Sequence, residues 1–545
     1  MIKLDNEQQC AVDSNDKRIV VLAAAGSGKS STLLARINRL LSSGVAPSEI
    51  LALTFTNAAA QEMKSRFKKL NTISQLPMFC TFHGFCYSLI VRDSSIRRLI
   101  GYSNIPSVAE QSDIDRIWTE TKQLLSIRLS DEVLNRKEPA IGQKAKFELE
   151  LFWKRFNSKL RQNNLITFDI MCYEICKLFE NNDPVTVQYK MQYKHIFIDE
   201  FQDTDPKQWK FAKSFTDSSI FVVGDAKQAI YAFRNADVDI IKQLTKDPAW
   251  TTIKLVHNYR STKQICEFSN AIHDFWGDTP YNLAMVSDRD GLEVIERDGF
   301  MNDLESDGFG RRYESTKPQE IVRENLFTIL DDNDGSKTVA ILCRSNAEVS
   351  DVSNLLKQYN IAYNTKRSPK SQEQYLRAAM DSDYLINWLS DSLSSAQYNE
   401  YTKLRLMDDT YTTEHGFYEL YKERFSKQFD KILNIRAILA SEADPVIKYM
   451  NVAKLLRIKV DTNGISCSSN EEIVNKLIEV VTSVKECNLY VGTIHSVKGL
   501  EFDIVHLIGV DGRRFPLISE EQHNIYYVGC TRAKEKLVVW NDSSI

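Results

Sequence analysis

Ile19-Val20-Val21-Leu22-Ala23-Ala24-Ala25-Gly26-Ser27-Gly28-Lys29-Ser30-Ser31-Thr32 is the stretch on which the fold turns. An apolar run shrinks to small residues, passes through Gly-Ser-Gly-Lys-Ser, and continues as Leu33-Leu34-Ala35-Arg36-Ile37. The pattern predicts a buried strand, a tight loop and an amphipathic helix. Small residues let the loop's backbone N–H groups close around an anion. The helix adds the positive end of its dipole. Ala25, Gly26, Ser27 and Gly28 would form the cradle, Lys29 would reach the β/γ-phosphates of a nucleoside triphosphate, and the Ser30 hydroxyl would ligate Mg²⁺. Ala23 stands where the strict G-x-x-x-x-G-K-[ST] spacing asks for glycine. A triphosphate site fixes the cofactor, not the task, so the task must be read elsewhere.

At 545 residues the chain exceeds one ordinary core, and roughly two to four domains are expected. A net charge of −4 gives no bulk support for nucleic-acid binding, so any basic track must be local. The ten cysteines include no C-x-x-C pair; reduced, mostly buried thiols in a cytoplasmic protein are the expectation. Met1-Ile2-Lys3-Leu4-Asp5 does not read as a signal peptide. No apolar run approaches ~18 residues, so no membrane segment is expected.

Along the chain, Gln8 lies on a short helical face ahead of the first strand. Its amide can read both a donor and an acceptor edge of adenine, although a surface glutamine fits the same pattern. Ile50-Leu51-Ala52-Leu53-Thr54-Phe55-Thr56-Asn57 reads as a second buried strand with polar residues at its C-terminal end, the ligand side of an open α/β sheet. Phe55 can stack on a base, and Thr56 and Asn57 can hold phosphates. A third strand end is read over Phe79-Cys80-Thr81-Phe82-His83-Gly84-Phe85; His83 alone fits a core histidine equally well. Residues 91–190 read as helical, without a convincing strand before Tyr193.

His195-Ile196-Phe197-Ile198-Asp199-Glu200 is a strand delivering two acids. Asp199 is placed to hold Mg²⁺ and Glu200 to orient and deprotonate the attacking water. The next strand, Ile220-Phe221-Val222-Val223-Gly224-Asp225, leads to Gln228, which can bond the γ-phosphate or the water beside it. Tyr231, Phe233 and Arg234 follow, two aromatics and a cation suited to base stacking or to a partly buried helix face. In Asn258-Tyr259-Arg260-Ser261, Tyr259 can stack on adenine and Arg260 can stabilise the transferring phosphoryl group. A second α/β pattern is read from near Thr338. It is interrupted by helical residues 376–485, with Trp388, Tyr398, Tyr401, Phe417 and Phe425 as core, and resumes near Leu489. Arg532 is a second candidate arginine finger.

Taken in order, Gln8, Ala25 to Ser30, Thr54 to Asn57, Thr81 to Gly84, Ile198 to Asp203, Gly224-Asp225 with Gln228, Asn258 to Ser261, Thr493 with His495-Ser496 and Lys498 to Glu501, and Tyr527 to Ala533 resemble the full motif series of UvrD/Rep/PcrA-like superfamily 1A DNA helicases. The resemblance runs from residue 4 to about 540. It implies an α/β fold of two RecA-like P-loop NTPase domains, each with a helical insertion. Residues 1–90 and 191–270 would form the ATP-binding domain, and 91–190 its insertion. Residues 271–375 and 486–545 would form the second domain, and 376–485 a reduced insertion. It also implies ATP and Mg²⁺ as cofactors and 3′→5′ movement on single-stranded or 3′-tailed duplex DNA. By similarity Gln8 reads adenine, Glu501 bonds the ribose, Gln228 senses the γ-phosphate, and Arg260 and Arg532 are the fingers. Phe55, His83, Tyr231 and Phe233 line the DNA track, with Thr56, Asn57, Arg234, Thr493 and His495 beside them.

The chain also departs from that pattern. Ser31 replaces an arginine near adenine, Ala58 a lysine, and Phe233 a tryptophan. Gln522, His523 and Asn524 stand where an acidic–basic run is usual, and Arg367-Ser368-Pro369-Lys370-Ser371 replaces a Gly-Gly-x-x-Phe signature. With the short second insertion and no further domain after the last strand, these features resemble the helicase-like subunit of Gabija-type antiphage systems. That likeness implies a nuclease subunit as partner.

Overall fold

The computed structural model describes residues 4–71, 75–109, 111–127, 129–131, 134, 143–232, 236–298, 326, 328–333, 335–365, 371–390, 413–456, 458, 460, 467–482, 488–510 and 517–541. Thirteen strands occur among them: β1 (Arg18–Ala23), β2 (Ile50–Thr54), β3 (Met78–Thr81), β4 (Ser107–Val108), β5 (Leu165–Ile166), β6 (His195–Ile198), β7 (Ser219–Gly224), β8 (Thr251–Leu255), β9 (Ile295–Asp298), β10 (Val339–Cys343), β11 (Leu489–Thr493), β12 (Phe502–Val510) and β13 (Ala533–Asn541). The chain divides into two compact units. One holds residues 1–81, 187–368 and 485–545; the other holds 82–186 and 369–484.

The first unit contains two parallel sheets. The order β3-β2-β6-β7-β1-β8 places β1 between β7 and β8, with β6 beyond β7. The C-terminal ends of β1, β7 and β6 therefore lie side by side, and each carries one of the polar motifs. This is where an open α/β sheet binds ligands. Uniform burial along β1, β2 and β6 explains their continuous apolar sequences, because both faces of a parallel sheet are covered. Leu33 and Ile37 from the helix Lys29–Ser42 pack with Ile19, Val21 and Phe221.

The second sheet has the order β11-β10-β12-β13-β9, also parallel. It begins earlier than the sequence reading near Thr338, because β9 lies on its edge against β13. An edge strand pairs on one side only, and Ile-Glu-Arg-Asp offers no apolar run to announce it. The third strand end is also shorter than read: β3 stops at Thr81 and a helix runs Phe82–Arg92. Thr81 is the last β3 residue in register with β2, opposite Thr54, so the ladder ends there.

In the second unit, the helices Gln111–Leu125 and Gln143–Gln162 meet through Trp118, Phe152, Trp153 and Phe156. The two-residue strands β4 and β5 pair in parallel within a region read as purely helical; strands this short leave no periodic signal. Phe417 and Phe425 are buried in a separate helical core, with Trp388 packed against it. Tyr398, Tyr401 and Arg367 to Lys370 lie outside the described residues. Among the described residues no helix is long and apolar enough to cross a membrane.

Candidate nucleotide-binding site

The loop after β1 turns through left-handed backbone at Gly26 (φ 72°) and Gly28 (φ 78°). A Cβ on Gly26 would stand 2.7 Å from Asn258 Oδ1, so glycine here serves close approach as well as conformation. Asn258 holds the loop in place: its Nδ2 donates to the Ala25 carbonyl at 2.8 Å. Its Oδ1 accepts from the Arg260 and Ser261 amides, each at 2.7 Å.

Lys29 opens the helix Lys29–Ser42. Its Nζ is buried and has no hydrogen-bond partner among the described residues. An ammonium in that state needs anionic company, and a triphosphate fits the requirement. Next to it, Ser30 Oγ donates to Asp199 Oδ2 at 3.0 Å. The hydroxyl and carboxylate read as Mg²⁺ ligands are thus already together, which suits a metal held by one or two protein groups plus phosphate.

Asp199 and Glu200 follow β6, with Glu200 at φ 50°, a strained angle for a non-glycine residue. Their environments separate their acidities. Burial, then the neighbouring Glu200 charge, raises the Asp199 carboxyl to about 6. Burial also pushes Glu200 upward, but Lys29, Lys498, Gln202 and Arg532 outweigh it and leave Glu200 below the usual range. Gln202 orients Glu200 by donating to Oε2 at 2.6 Å, while its own Oε1 accepts from the Asp225 amide at 3.0 Å. Glu200 is therefore a fixed, ionised carboxylate suited to general-base work.

Gln228 sits in the turn after β7 and donates to Asp225 Oδ2 at 2.7 Å. Its turn is tied to the second sheet's elements in two ways. Lys498 Nζ bonds the Gln228 carbonyl at 2.9 Å, and Asn524 donates to the Ala229 carbonyl at 2.9 Å. Asn524 was read only as a departure from pattern; the structure gives it this bridging place.

The two arginines differ. Arg260 pairs with Glu501 at 2.8 Å and donates to the Thr531 carbonyl at 3.2 Å. Ser261 donates to the Ala533 carbonyl at 2.6 Å. The segment 258–261 therefore spans both sheets, where the sequence reading had it close the first half. Arg532 is almost wholly buried and donates to the Val528 carbonyl, the Leu500 carbonyl and Thr531 Oγ1. Burial, then the Arg260 charge, pushes its guanidinium below the usual arginine range, opposed by Glu200.

Gln8 is buried in a capping box with Asp5 at the start of the helix Asn6–Asp13. Its Oε1 accepts from the Asp5 amide at 3.1 Å and its Nε2 donates to the Ser27 carbonyl at 2.9 Å. Tyr259 donates its hydroxyl to Asp5 Oδ2 and lies 4.5 Å from the His257 ring. Asp5 had no role in the sequence reading, yet the Asp-x-x-Gln spacing was a visible capping signal. Ser31 is the second residue of the helix Lys29–Ser42.

Three of the residues read as a DNA track converge. Phe55 stacks on Tyr231, with centroids 5.2 Å apart and planes at 17°, and Tyr231 lies 6.5 Å from His495. Thr56 and Thr493 each cap a following helical turn, accepting from Ala59 and Ser496 amides, and Asn57 opens the helix after Thr56. His83 belongs to the other unit, with its ring edge-on to Phe168. Phe233 and Arg234 lie outside the described residues.

Residues 4–249 match the family model for the UvrD/REP helicase N-terminal domain, and residues 388–543 that for the UvrD-like helicase C-terminal domain. The chain is similar to the ATP-dependent DNA helicase PcrA of Staphylococcus aureus, 27% identical over 624 residues, covering 99% of this chain and 83% of the relative. It is 26% identical over 622 residues to the probable DNA helicase II homolog of Mycoplasma capricolum, covering 98% and 84%. The PcrA of Staphylococcus epidermidis is 27% identical over 617 residues, covering 99% and 83%.

Proposed function

This chain belongs to the UvrD/REP family of ATP-dependent DNA helicases, and from that premise we propose that it couples ATP hydrolysis to 3′→5′ movement along single-stranded DNA and to opening of 3′-tailed duplexes in the cytoplasm. The observation that carries the reading is the buried Lys29 ammonium, without a hydrogen-bond partner among the described residues, beside the hydrogen-bonded Ser30 and Asp199.

In this reading Lys29 and the loop 25–28 hold the triphosphate, and Ser30 and Asp199 hold Mg²⁺. Held there by Ser30 and Asp199, Mg²⁺ would supply positive charge against the triphosphate oxygens. Glu200 orients the attacking water and accepts its proton. Arg260 and Arg532 stabilise the charge spreading over the γ-phosphoryl oxygens. Tyr259 and Gln8 contact adenine, and Glu501 the ribose. The arginines have an anion to close upon until hydrolysis removes it, so one sheet moves against the other once per cycle. Phe55, Tyr231 and His495, with Thr56, Asn57 and Thr493, grip any base by stacking and polar contact. The division into 1–90 with 191–270, 91–190, 271–375 with 486–545, and 376–485 remains the domain scheme we propose.

A second reading keeps the same site but makes the chain a DNA-sensing subunit that regulates a partner nuclease. It draws on the relative's alignment of 624 residues, longer than this 545-residue chain, so the relative carries stretches without a counterpart here. One experiment separates the readings: ATPase with and without single-stranded DNA, alongside unwinding of 3′-tailed and 5′-tailed duplexes. DNA-stimulated hydrolysis with unwinding of the 3′-tailed substrate, both lost in Lys29→Ala, supports the first. Stimulated hydrolysis without unwinding favours the second, and unwinding that survives Lys29→Ala overturns the site assignment.

A further inference from the structure

In the second unit, Cys86 lies on the helix Phe82–Arg92 and Cys172 on the helix Phe168–Glu180. Their sulfur atoms stand 3.9 Å apart. A disulfide bond is ~2.05 Å long, so closure needs an approach of about 1.9 Å. The same helices meet again through His83 and Phe168, whose ring centroids are 5.3 Å apart. That second contact holds the helix spacing beside the sulfur pair. Exposure is unequal: Cys86 is buried and Cys172 is half-buried. Cys176, one helical turn beyond Cys172, is buried. A half-buried cysteine beside a fully buried one suits an attacking and a resolving thiol.

We propose that Cys86 and Cys172 form a peroxide-responsive modification site that closes to an intramolecular disulfide. The Cys172 thiolate attacks one oxygen of hydrogen peroxide. An S–O bond forms, the O–O bond breaks, and the departing hydroxide takes up a proton as water. The Cys86 thiolate then attacks the sulfenic sulfur, forming S–S and breaking S–O, and a second water leaves. Two thiols and one peroxide become one disulfide and two waters, with two electrons passing from sulfur to peroxide oxygen. In a reducing compartment such a bond is transient, so it acts as a sensor and not as a staple. Its consequence is local: it clamps the helix beginning at Phe82 to the helix beginning at Phe168.

The test uses the full chain, treated with hydrogen peroxide, blocked with iodoacetamide and digested without reductant. The expected product is a joined pair of peptides bearing Cys86 and Cys172, unalkylated and lighter by two hydrogens, which dithiothreitol separates. Cys172→Ser and Cys86→Ser each lose the joined product, while Cys176→Ser keeps it. The wild-type digest decides the matter even where a serine variant folds poorly. Pairing of Cys172 with Cys176, accumulation of Cys172 sulfinic acid with Cys86 alkylated, or full alkylation of both after peroxide would each overturn the proposal.

Discussion

Lys498 Nζ lies 2.6 Å from Asp203 Oδ2, in a buried ion pair between residues 295 apart in the chain. Asp203 follows β6 of the first sheet, and Lys498 lies between β11 and β12 of the second. Burial raises the Asp203 carboxyl to about 6, with Lys498 pulling against it. Removing the cation strands a buried carboxylate. Lys498→Ala is expected to lose about 3–5 kcal/mol in denaturant unfolding. The double variant Lys498→Met/Asp203→Leu should recover most of that loss, since paired apolar replacement removes both desolvation costs. A double variant as unstable as the single one would refute this view of the pair.

Arg532 and Arg260 should separate kinetically from Glu501. Arg532→Lys keeps a charge but loses the planar fork, and a fall in kcat of roughly 10³-fold is expected. Arg260→Ala should fall comparably if, as proposed, its guanidinium is the second cation on the phosphoryl group. Glu501→Gln should alter KM for ATP more than kcat. Steady-state ATPase at saturating DNA reads all three, and an unchanged kcat in Arg532→Lys would remove its finger role.

Asp5 organises both groups assigned to adenine, since it caps the Gln8 helix and accepts from Tyr259. Losing that orientation removes about one hydrogen bond's worth of binding, so Asp5→Ala should raise KM for ATP about tenfold with kcat little changed. Tyr259→Phe, which loses the hydroxyl but keeps the ring, should show a smaller rise. A fall in kcat at constant KM in Asp5→Ala would contradict the assignment.

The Asp199 carboxyl gives stability a pH signature. Its folded value, about 6, lies above the ordinary aspartate value of ~3.9. The folded chain therefore favours the protonated acid. That contribution is complete below about pH 4 and is lost as pH rises through about 6. In magnesium-free buffer, wild type should lose stability relative to Asp199→Asn across this window, on the order of 2 kcal/mol. Thermal unfolding of both proteins from acid to neutral pH measures the difference, and parallel curves would count against it.

Much of the candidate site was legible because its residues sit at strand ends that apolar runs announce. Ile19 to Ala23, Ile196 to Ile198 and Ile220 to Val223 are buried throughout, so their sequences are continuous and apolar and their polar termini stand out. β9 was not legible, because an edge strand with three charged residues in Ile295–Asp298 carries no such run. Asn258, Lys498 and Asn524 stood in view within or near recognised motifs, yet their tasks were hidden. Each acts through a partner more than 200 residues away, and a contact at that separation leaves no period in the sequence.

By itself, then, the sequence determined the glycine loop between a buried strand and a helix, the acid pair that follows another buried strand, and the ordered motifs that identify the family. Local propensity and solvent exclusion write those features into adjacent residues. Only the tertiary structure decided that β1, β7 and β6 end side by side, that the 258–261 segment spans two sheets, and that Asp199 lies buried beside Ser30. Those outcomes depend on strand order and on desolvation by distant neighbours, which are properties of the packed chain.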